Sequence, residues 1–302
     1  MNTVTIPAKN VIKQVPSCID ELNERQYLRF VELLLQLQGK SISFQEFKSQ
    51  LIFDLLNLKV NLSYYFLPYK EKEQINSTIH QLSDLVESFF KEENKDNGPV
   101  KVAQLSFVKQ LIPRIGNYYG PTDALQDITF CEYRMAHDHF TAFVKSDDPN
   151  DLDQLIAVLY RRRKRLLFLR KFLPGYDGQH RVRIGSKTNP IYIEKRAKCI
   201  SRLPWHIRYG IFLWFAGCEE YLVTGRPEIN GHEIDFSKLY EKSDKGSSLA
   251  EIGLVGVLFS LSETKVFGNM EETDNQNLYD VLLRLYQVVM EMKEMEEKYS
   301  KK

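Results

Sequence analysis

The 302-residue sequence has few cysteines, no long apolar run and no apolar leader. Its four cysteines, Cys18, Cys131, Cys199 and Cys218, are far apart and form no CxxC pair. Neither a zinc or redox site nor a disulfide framework is therefore expected. No apolar stretch approaches the roughly 18 residues that a membrane-spanning helix needs, and the first residues lack the apolar core of a secretory signal. These absences predict a cytoplasmic protein with no membrane segment.

Sequence motifs of common enzyme classes are also missing. The glycines in 175–178 and 253–256 match neither the GxxxxGK[ST] nor the GxGxxG phosphate-binding pattern. The chain contains no GxSxG elbow, no HExxH motif and no kinase signature set. Scattered serine, histidine and aspartate side chains could still converge in the fold, which leaves an enzyme as an alternative. The sequence favours a non-enzymatic protein without a cofactor.

Two short polar motifs resemble functional sites but lack the required spacing. His137-Asp138-His139 lies in a predicted helix, where side chains two positions apart point about 200° away from each other. The two histidines are therefore expected to be partly exposed and to bind no metal. Glu219-Glu220 could form an acid pair, but no histidine lies at a supporting sequence spacing. A solvated helix end is the interpretation that this spacing favours.

The sequence is instead rich in amphipathic helix patterns. Apolar residues recur at three- and four-residue steps over 24–38, which places them on one face of a helix. Ser43 to Glu46 and Thr129 to Glu132 match the capping box that opens a helix, and Asp148-Pro149 is another helix start. We predict a mostly α-helical, packed multi-helix bundle with one or two small β-hairpins in its loops. The predicted helices are 24–38, 43–58, 73–90, 129–144, 150–160, 193–203, 204–223, 249–263 and 277–298. A tight hairpin is predicted at 229–234, and 174–190 is predicted to be an exposed loop or a small hairpin.

One pattern occurs twice and indicates how the helices are combined. Tyr27 precedes Gln50-Leu51-Ile52 by 23 residues, and Tyr133 precedes Gln154-Leu155-Ile156 by 21 residues. These spacings match two short helices and a turn. A helix pair used twice predicts a body of packed helices, with little need for a catalytic cleft.

A charged segment suggests a division of the chain. Residues 91–99 are charged, contain Asn-Gly-Pro and have no apolar side chain, as is typical of a linker or surface loop. We therefore predict an N-terminal helical domain over 1–95 and a larger helical domain over 100–302. The region before 20 is predicted to be irregular.

Charge is strongly segregated in the predicted second domain. Between Arg161 and Arg208 there are 15 lysines and arginines against two acids, a local balance of +13, although the whole chain carries +1. The rest of the chain therefore carries −12. Segregation on this scale indicates a charged partner more clearly than the total does.

The basic tract at the start of this region is the predicted partner-binding site. Its cations alternate with leucine and phenylalanine, so that a helix would have one cationic and one apolar side. The tract could be a solvated surface, could bind an acidic protein, or could bind nucleic-acid phosphates with release of counterions. No recognition-helix or RNA-binding signature favours the last alternative. The predicted partner-binding residues are Arg161, Arg162, Arg163, Lys164, Arg165, Arg170 and Lys171.

Three stretches together resemble a family of known sequences. They are 20–27 (DELNERQY), the pair 128–133 (ITFCEY) and 151–161 (DLDQLIAVLYR), and 277–282 (NLYDVL). This combination resembles uncharacterised tail-region proteins of phages and prophages from Bacteroides-like bacteria. The middle pair is also similar in style to tail assembly chaperones and small baseplate-assembly proteins.

The resemblance implies a role in building a phage tail or a tail-like particle. It covers about a third of the chain and consists of helix-packing patterns, and it carries no catalytic residues. It implies a protein partner such as a tail or tape-measure protein, and a location in the bacterial host cell or on the virion. The basic tract is a departure from typical tail chaperones, which are also shorter. Nucleic acid is the alternative partner of that tract.

Overall fold

The computed structural model describes residues 1–6, 11–58, 65–95, 98–162, 190–229, 231–239 and 249–300. Within these ranges the chain is mostly α-helical with small antiparallel sheets, which confirms the predicted fold class. The helices are α1 (Glu24–Gln38), α2 (Phe44–Leu55), α3 (Tyr69–Ser83), α4 (Phe130–Ser146), α5 (Pro149–Leu159), α6 (Pro190–Ile200), α7 (Trp205–Thr224), α8 (Leu249–Glu263), α9 (Met270–Asp274) and α10 (Leu278–Ser300).

The strands are short and pair antiparallel. Strands β1 and β2 form one hairpin, β3 and β4 a second, β8 and β9 a third, and β6 lies between β5 and β7 in a three-stranded sheet. The third hairpin confirms the hairpin predicted at 229–234, whereas 174–190, predicted to be an exposed loop or a small hairpin, lies outside the described residues. The strands are β1 (Asn2–Ile6), β2 (Val11–Val15), β3 (Phe90–Lys95), β4 (Gly98–Ala103), β5 (Arg114–Ile115), β6 (Tyr118–Tyr119), β7 (Arg161–Arg162), β8 (Glu228–Ile229) and β9 (His232–Glu233).

The chain divides into two compact units. Unit 1 comprises 1–107 and 204–213, and unit 2 comprises 108–203 and 214–302. The sequence predicts a boundary between 95 and 100, whereas the division lies after Phe107. The segment 204–213, which carries the first half of α7, also belongs to unit 1.

Aromatic side chains form the centre of unit 1. The rings of Tyr27 and Phe107 meet edge to face with centroids 5.4 Å apart, and those of Phe30 and Phe47 with centroids 5.9 Å apart. The Tyr27 hydroxyl donates a hydrogen bond of 2.7 Å to the carbonyl of Gly210, which satisfies its polar end inside the core. Of the residues that repeat at helical spacing in 24–38, Tyr27, Phe30, Val31 and Leu34 are buried as predicted, and Leu35 is half-buried.

The capping box predicted at Ser43 is confirmed. The Ser43 hydroxyl accepts from the backbone N–H of Glu46 at 3.2 Å, and the Glu46 carboxylate accepts from the Ser43 N–H at 2.7 Å. Two amides that the first helical turn leaves unpaired are therefore satisfied, which fixes the start of α2.

Two predictions about unit 1 are wrong. The region before 20 contains the paired strands β1 and β2, and residues 91–95 and 98–99 lie in strands β3 and β4 instead of in a linker or surface loop. The second hairpin is held at its base because Phe90 packs edge to face on Phe44 and Phe47, with centroids 5.0 and 5.4 Å apart. Tertiary packing of one aromatic residue thus outweighs the charged composition of the segment.

Helix α3 differs from its predicted form. The sequence predicts a helix over 73–90 with Ile75 and Ile79 inward, but the α-helix covers Tyr69–Ser83 and a 3₁₀ turn covers Asp84–Phe89. Within α3, all of which is described, Ser83 is the only buried residue, and Ile75 is 37% exposed. The predicted inner face therefore begins only where the 3₁₀ turn buries Val86 and Phe89.

In unit 2, helices α4 and α5 pack against each other, and α5 packs on α6. The end of α5 from Leu155 to Tyr160 is completely buried. The start of α4 is joined to the start of α10 by backbone hydrogen bonds from Phe130 to the carbonyl of Gln276 and from Leu278 to that of Ile128. Asp148 caps α5 by accepting from the N–H of Asn150 at 2.9 Å, as predicted.

Each occurrence of the repeated pattern spans two consecutive helices. The first runs from Tyr27 on α1 to Leu51 and Ile52 on α2, and the second runs from α4 to α5. The tyrosine, leucine and isoleucine of both copies are buried. The prediction that the pattern marks helix pairs is confirmed, and one pair lies in each unit.

Candidate partner-binding site

The basic tract begins inside the protein. Arg161 is 1% exposed, and its guanidinium contacts the carboxylate of Glu132, which is 5% exposed. The Arg161 Nε also donates a hydrogen bond of 2.8 Å to the carbonyl of Val158. A charge with this burial and these partners belongs to the core of unit 2. Arg161 is therefore removed from the predicted partner-binding set.

The same ion pair explains a second difference from prediction. Thr129 caps α4 by accepting from the N–H of Glu132 at 3.2 Å, but the Glu132 side chain does not return the bond to Thr129 as a capping box would. Its carboxylate is directed to Arg161 instead. A buried guanidinium gives a buried carboxylate stronger, charge-assisted hydrogen bonds than a backbone amide does.

Arg162 has the opposite environment from Arg161. It is exposed, and in β7 it lies opposite Tyr118 of β6. Consecutive residues of a strand point to opposite faces, so one arginine enters the core while the next faces solvent. The other predicted partner-binding residues, Arg163, Lys164, Arg165, Arg170 and Lys171, lie outside the described residues.

A second group of cations follows on α6. Lys195 and Lys198 are three positions apart on the helix and both are exposed, as is Arg202 in the turn that follows. We call these three residues the cationic face. Arg196 points inward instead. Its Nε donates a hydrogen bond of 2.9 Å to the carbonyl of Ala157, and burial lowers the pKa of its guanidinium. The sequence shows these cations in the charge count, but burial alone separates the exposed ones.

Unit 1 exposes an aromatic patch formed by Tyr65, Phe66 and Tyr69. Their exposed fractions are 66, 86 and 80%. The Lys72 ammonium donates a hydrogen bond of 2.9 Å to the Tyr65 carbonyl, and this bond holds the start of α3 against the preceding turn. Large aromatic side chains usually contribute to a core, and clusters of them on a surface mark sites of interaction. The sequence shows an aromatic segment here but does not reveal that it is exposed.

Unit 1 also contains a cavity of about 560 Å³ bounded by residues of α1, α2 and α3. Its size is in the range of ligand pockets. The guanidinium in its lining belongs to Arg29, which binds Asp54 at 2.7 Å and Glu32 at 2.7 Å. Local carboxylates thus neutralise that cation, so the lining offers little net charge to a ligand. The lining residues are Arg29, Ser49, Gln50, Phe53, Asp54, Asn76, Ile79 and His80.

Three polar side chains converge in unit 2. The Glu219 Oε2 atom of α7 accepts from the Tyr133 hydroxyl at 3.2 Å and lies 3.1 Å from the His137 Nδ1 atom, both on α4. The Glu219 side chain is 13% exposed, and its buried Oε1 has no hydrogen-bond partner. The sequence did not predict this cluster because His137 and Glu219 are 82 residues apart in the chain. The local sequence signal for the cluster was that Tyr133 and His137 are four positions apart and therefore lie on the same face of a helix.

The cluster favours a charged histidine. The hydrogen bond to Glu219 raises the pKa of His137, against the opposing effect of burial, and the negative charges of Glu219 and Asp138 add to it. His139, on another side of α4, has its pKa lowered by burial. The two histidines of the His137-Asp138-His139 motif therefore have different environments.

We expect the stabilising effect of His137 to decrease as pH rises. Its pKa is higher in the folded chain than in the unfolded one, so its contribution is complete below pH ~6.5 and is lost as pH rises through the raised pKa. The free energy of unfolding of the natural sequence and of His137→Gln should therefore differ more at pH 5.5 than at pH 8.5. Urea denaturation at both pH values measures this difference.

His139→Gln is the matched control for this prediction. Its folded pKa is lowered, so the stability cost of the natural histidine lies at low pH and disappears as pH rises through ~6.5. Relative to the natural sequence, the His139→Gln variant should therefore be more stable at pH 5.5 than it is at pH 8.5. Equal pH dependence of the two variants would contradict the opposite shifts.

Two kinds of site are absent from the described residues. In this part of the chain, no group of three or more histidine, cysteine, aspartate or glutamate side chains is arranged to hold a metal ion. None of the helices described is both long enough and apolar enough to cross a membrane.

No protein-family model, no curated protein and no solved structure shows a significant match to the chain.

Proposed function

We propose that the chain is a non-enzymatic protein-binding protein that acts in the assembly of a larger particle. The observation that carries the proposal is the exposure of the aromatic patch at the start of α3, where Phe66 and Tyr69 are 86 and 80% exposed. The patch leads into a helix in which Ser83 is the only buried residue. A partner would cover a surface that unit 1 itself does not cover.

The energetics of such a patch support a protein partner. A tyrosine or phenylalanine buries about 150–250 Å² when it is covered, and aromatic anchors contribute much of the affinity of protein interfaces. The neighbouring Lys70, Glu71, Lys72 and Glu73 supply the polar rim that such interfaces have around their apolar centre. A mixed-charge rim around aromatic anchors suits a folded protein better than a uniformly charged polymer.

The setting of the proposal comes from the sequence resemblance to phage tail-region proteins. On that basis the partner is a tail component, such as a tape-measure protein. The basic tract, with Arg162 exposed and Arg161 in the core, is a second contact for an acidic segment of the partner. Arg163, Lys164, Arg165, Arg170 and Lys171 stay in the proposed set.

Removal of the aromatic patch should abolish partner capture. The double variant Phe66→Ser/Tyr69→Ser removes two exposed anchors, and we expect at least about a 10-fold loss of affinity, since single anchors contribute ~2 kcal/mol or more. The measurement is co-purification with tail proteins encoded by neighbouring genes, expressed together with the tagged chain. Circular dichroism should be unchanged because both side chains are exposed.

Val144→Ser provides a control of the same kind. Val144 is also an exposed apolar residue, with 60% of its surface accessible. It lies on α4 in unit 2, whereas the aromatic patch belongs to unit 1. Its replacement should leave co-purification intact. If the double variant captures the tail proteins as well as the natural sequence does, the aromatic patch is not their binding site.

A further inference from the structure

The cationic face in unit 2 has chemistry of its own. Lys195 and Lys198 are exposed on the outer side of α6, whose inner side packs on α5. Tyr192, one turn before Lys195, is 61% exposed. The pair between Lys198 and Glu194 joins atoms 3.7 Å apart on side chains that are 76 and 68% exposed, so water screens it strongly. The face therefore combines two available ammonium groups with an exposed aromatic ring.

The end of α10 has the complementary composition. Glu291 and Glu294 are exposed and three positions apart, and Met292 and Met295 are each 59% exposed. Glu291 lies 3.8 Å from Arg284, but its side chain is 60% exposed, so this contact leaves the carboxylate largely in solvent. Glu291, Glu294 and Met295 share one side of the helix, whereas Met292 points to another side because it lies two positions before Glu294.

The two helix surfaces match in spacing as well as in charge. The cations of α6 and the carboxylates of α10 are both separated by one helical turn, since each pair is spaced i, i+3. When two helices lie antiparallel, Lys195 can face Glu294 while Lys198 faces Glu291. A parallel arrangement in the corresponding register would place Arg202 opposite Lys298, which is unfavourable because both are cations.

We propose that α6 of one copy of this protein binds the end of α10 of a second copy, in antiparallel orientation. Both surfaces are exposed, so the described residues of one chain do not cover these complementary helix ends. The exposed Met295 fills space around Tyr192, since thioethers adapt to aromatic surfaces. The paired charges set the orientation and the register of the contact.

A second copy fits the cationic face better than nucleic acid does. Glu194 lies within one turn of both lysines, where it would oppose a phosphate backbone. The exposed Met295 of α10 gains nothing from a nucleic-acid partner, but it would be buried in the contact between two copies. Such a contact closes a dimer if both α6–α10 pairs form between the same two copies, and otherwise extends to a chain of copies.

The test is the mass of the purified full-length protein in solution. At micromolar concentration and low salt, sedimentation equilibrium should give at least twice the monomer mass of 35.4 kDa. Lys195→Glu/Lys198→Glu should raise the dissociation constant by at least about 10-fold. Raising the salt concentration to about 0.5 M should weaken association of the natural sequence, because exposed charge pairs are screened.

Charge exchange distinguishes a specific contact from a general change in net charge. Glu291→Lys/Glu294→Lys should also dissociate the protein, and the chain that carries all four substitutions should associate again. The side chains that these variants replace are all exposed, so circular dichroism should not change. A natural sequence that stays monomeric at all concentrations, or a four-substitution chain that does not regain association, would overturn the inference.

Random DNA and RNA serve as the competing ligands in the same assay. If the natural sequence binds DNA or RNA and Lys195→Glu/Lys198→Glu does not, the cationic face is assigned to nucleic acid. This result would also overturn self-association. This inference does not use the aromatic patch of unit 1. Failure to self-associate therefore leaves the co-purification test intact, and failure of that test leaves the mass measurement intact.

Discussion

Arg161→Met should lower the free energy of unfolding by about 3–5 kcal/mol, because it removes the cation that contacts the buried Glu132 carboxylate. The lost Nε hydrogen bond to Val158 adds to this cost. Urea denaturation followed by circular dichroism measures the change. The apolar stem of methionine keeps much of the packing volume, so most of the loss reports the charge and its hydrogen bonds.

Arg162→Met is a control that differs by one position in sequence. Arg162 is exposed, and its replacement should change stability by less than about 0.5 kcal/mol. If the two substitutions had the same effect, the inward direction of Arg161 would be contradicted.

The double variant Arg161→Met/Glu132→Leu tests the pair directly. Because an apolar pair no longer leaves a buried charge, the double variant should recover more than half of the stability lost in Arg161→Met. A double variant that is less stable than the single one would show that Glu132 has a role beyond this ion pair. Thr129 would still cap α4 in both variants, since its bond goes to the backbone of residue 132.

Much of the helical structure could be predicted because its signals are local. The serine and glutamate of 43–46 satisfy each other's neighbouring amides within four residues. Asp148 and Pro149 act within the first turn of α5. Apolar spacing then extends each helix until its pattern ends. Such signals are present in any short window of sequence, whatever the remainder of the chain does.

The charged and polar sites could not be predicted in the same way. Arg161 is one of five consecutive cations, and its direction depends on Glu132, which lies 29 positions away. Glu219 binds His137 across 82 positions, so no local spacing brings them together. The β3–β4 hairpin depends on the packing of Phe90 against α2 and its N-terminal cap region. In each case a tertiary contact decides between local structures that the sequence leaves open.

The predicted binding site shows the consequence of this limit. The sequence identifies a cationic region correctly as a concentration of charge, but it does not separate Arg161 in the core from Arg162 at the surface. It also gives no weight to Lys195 and Lys198, which are exposed on a helix. Exposure therefore determines which cations are available to a partner, and charge counts alone do not.

Trp214→Ala should be about as destabilising as Arg161→Met, with a loss of about 3–5 kcal/mol in the free energy of unfolding. Trp214 is 1% exposed, and its indole N–H donates a hydrogen bond of 3.0 Å to the carbonyl of Val108. Its apolar surface is therefore buried and its polar atom is paired, both within unit 2. Truncation leaves a cavity the size of an indole and removes the donor for that carbonyl. Urea denaturation measures the loss.

Trp205 makes the matched comparison, since it is the other tryptophan of the chain and lies on the same helix. It is only partly buried and stacks on Tyr209 with ring centroids 6.2 Å apart. Trp205→Ala should therefore cost less than half as much as Trp214→Ala. Trp214→Phe should fall between them, because the ring fills most of the cavity while the hydrogen bond to Val108 is lost. Equal losses for the two alanine variants would contradict the burial of Trp214.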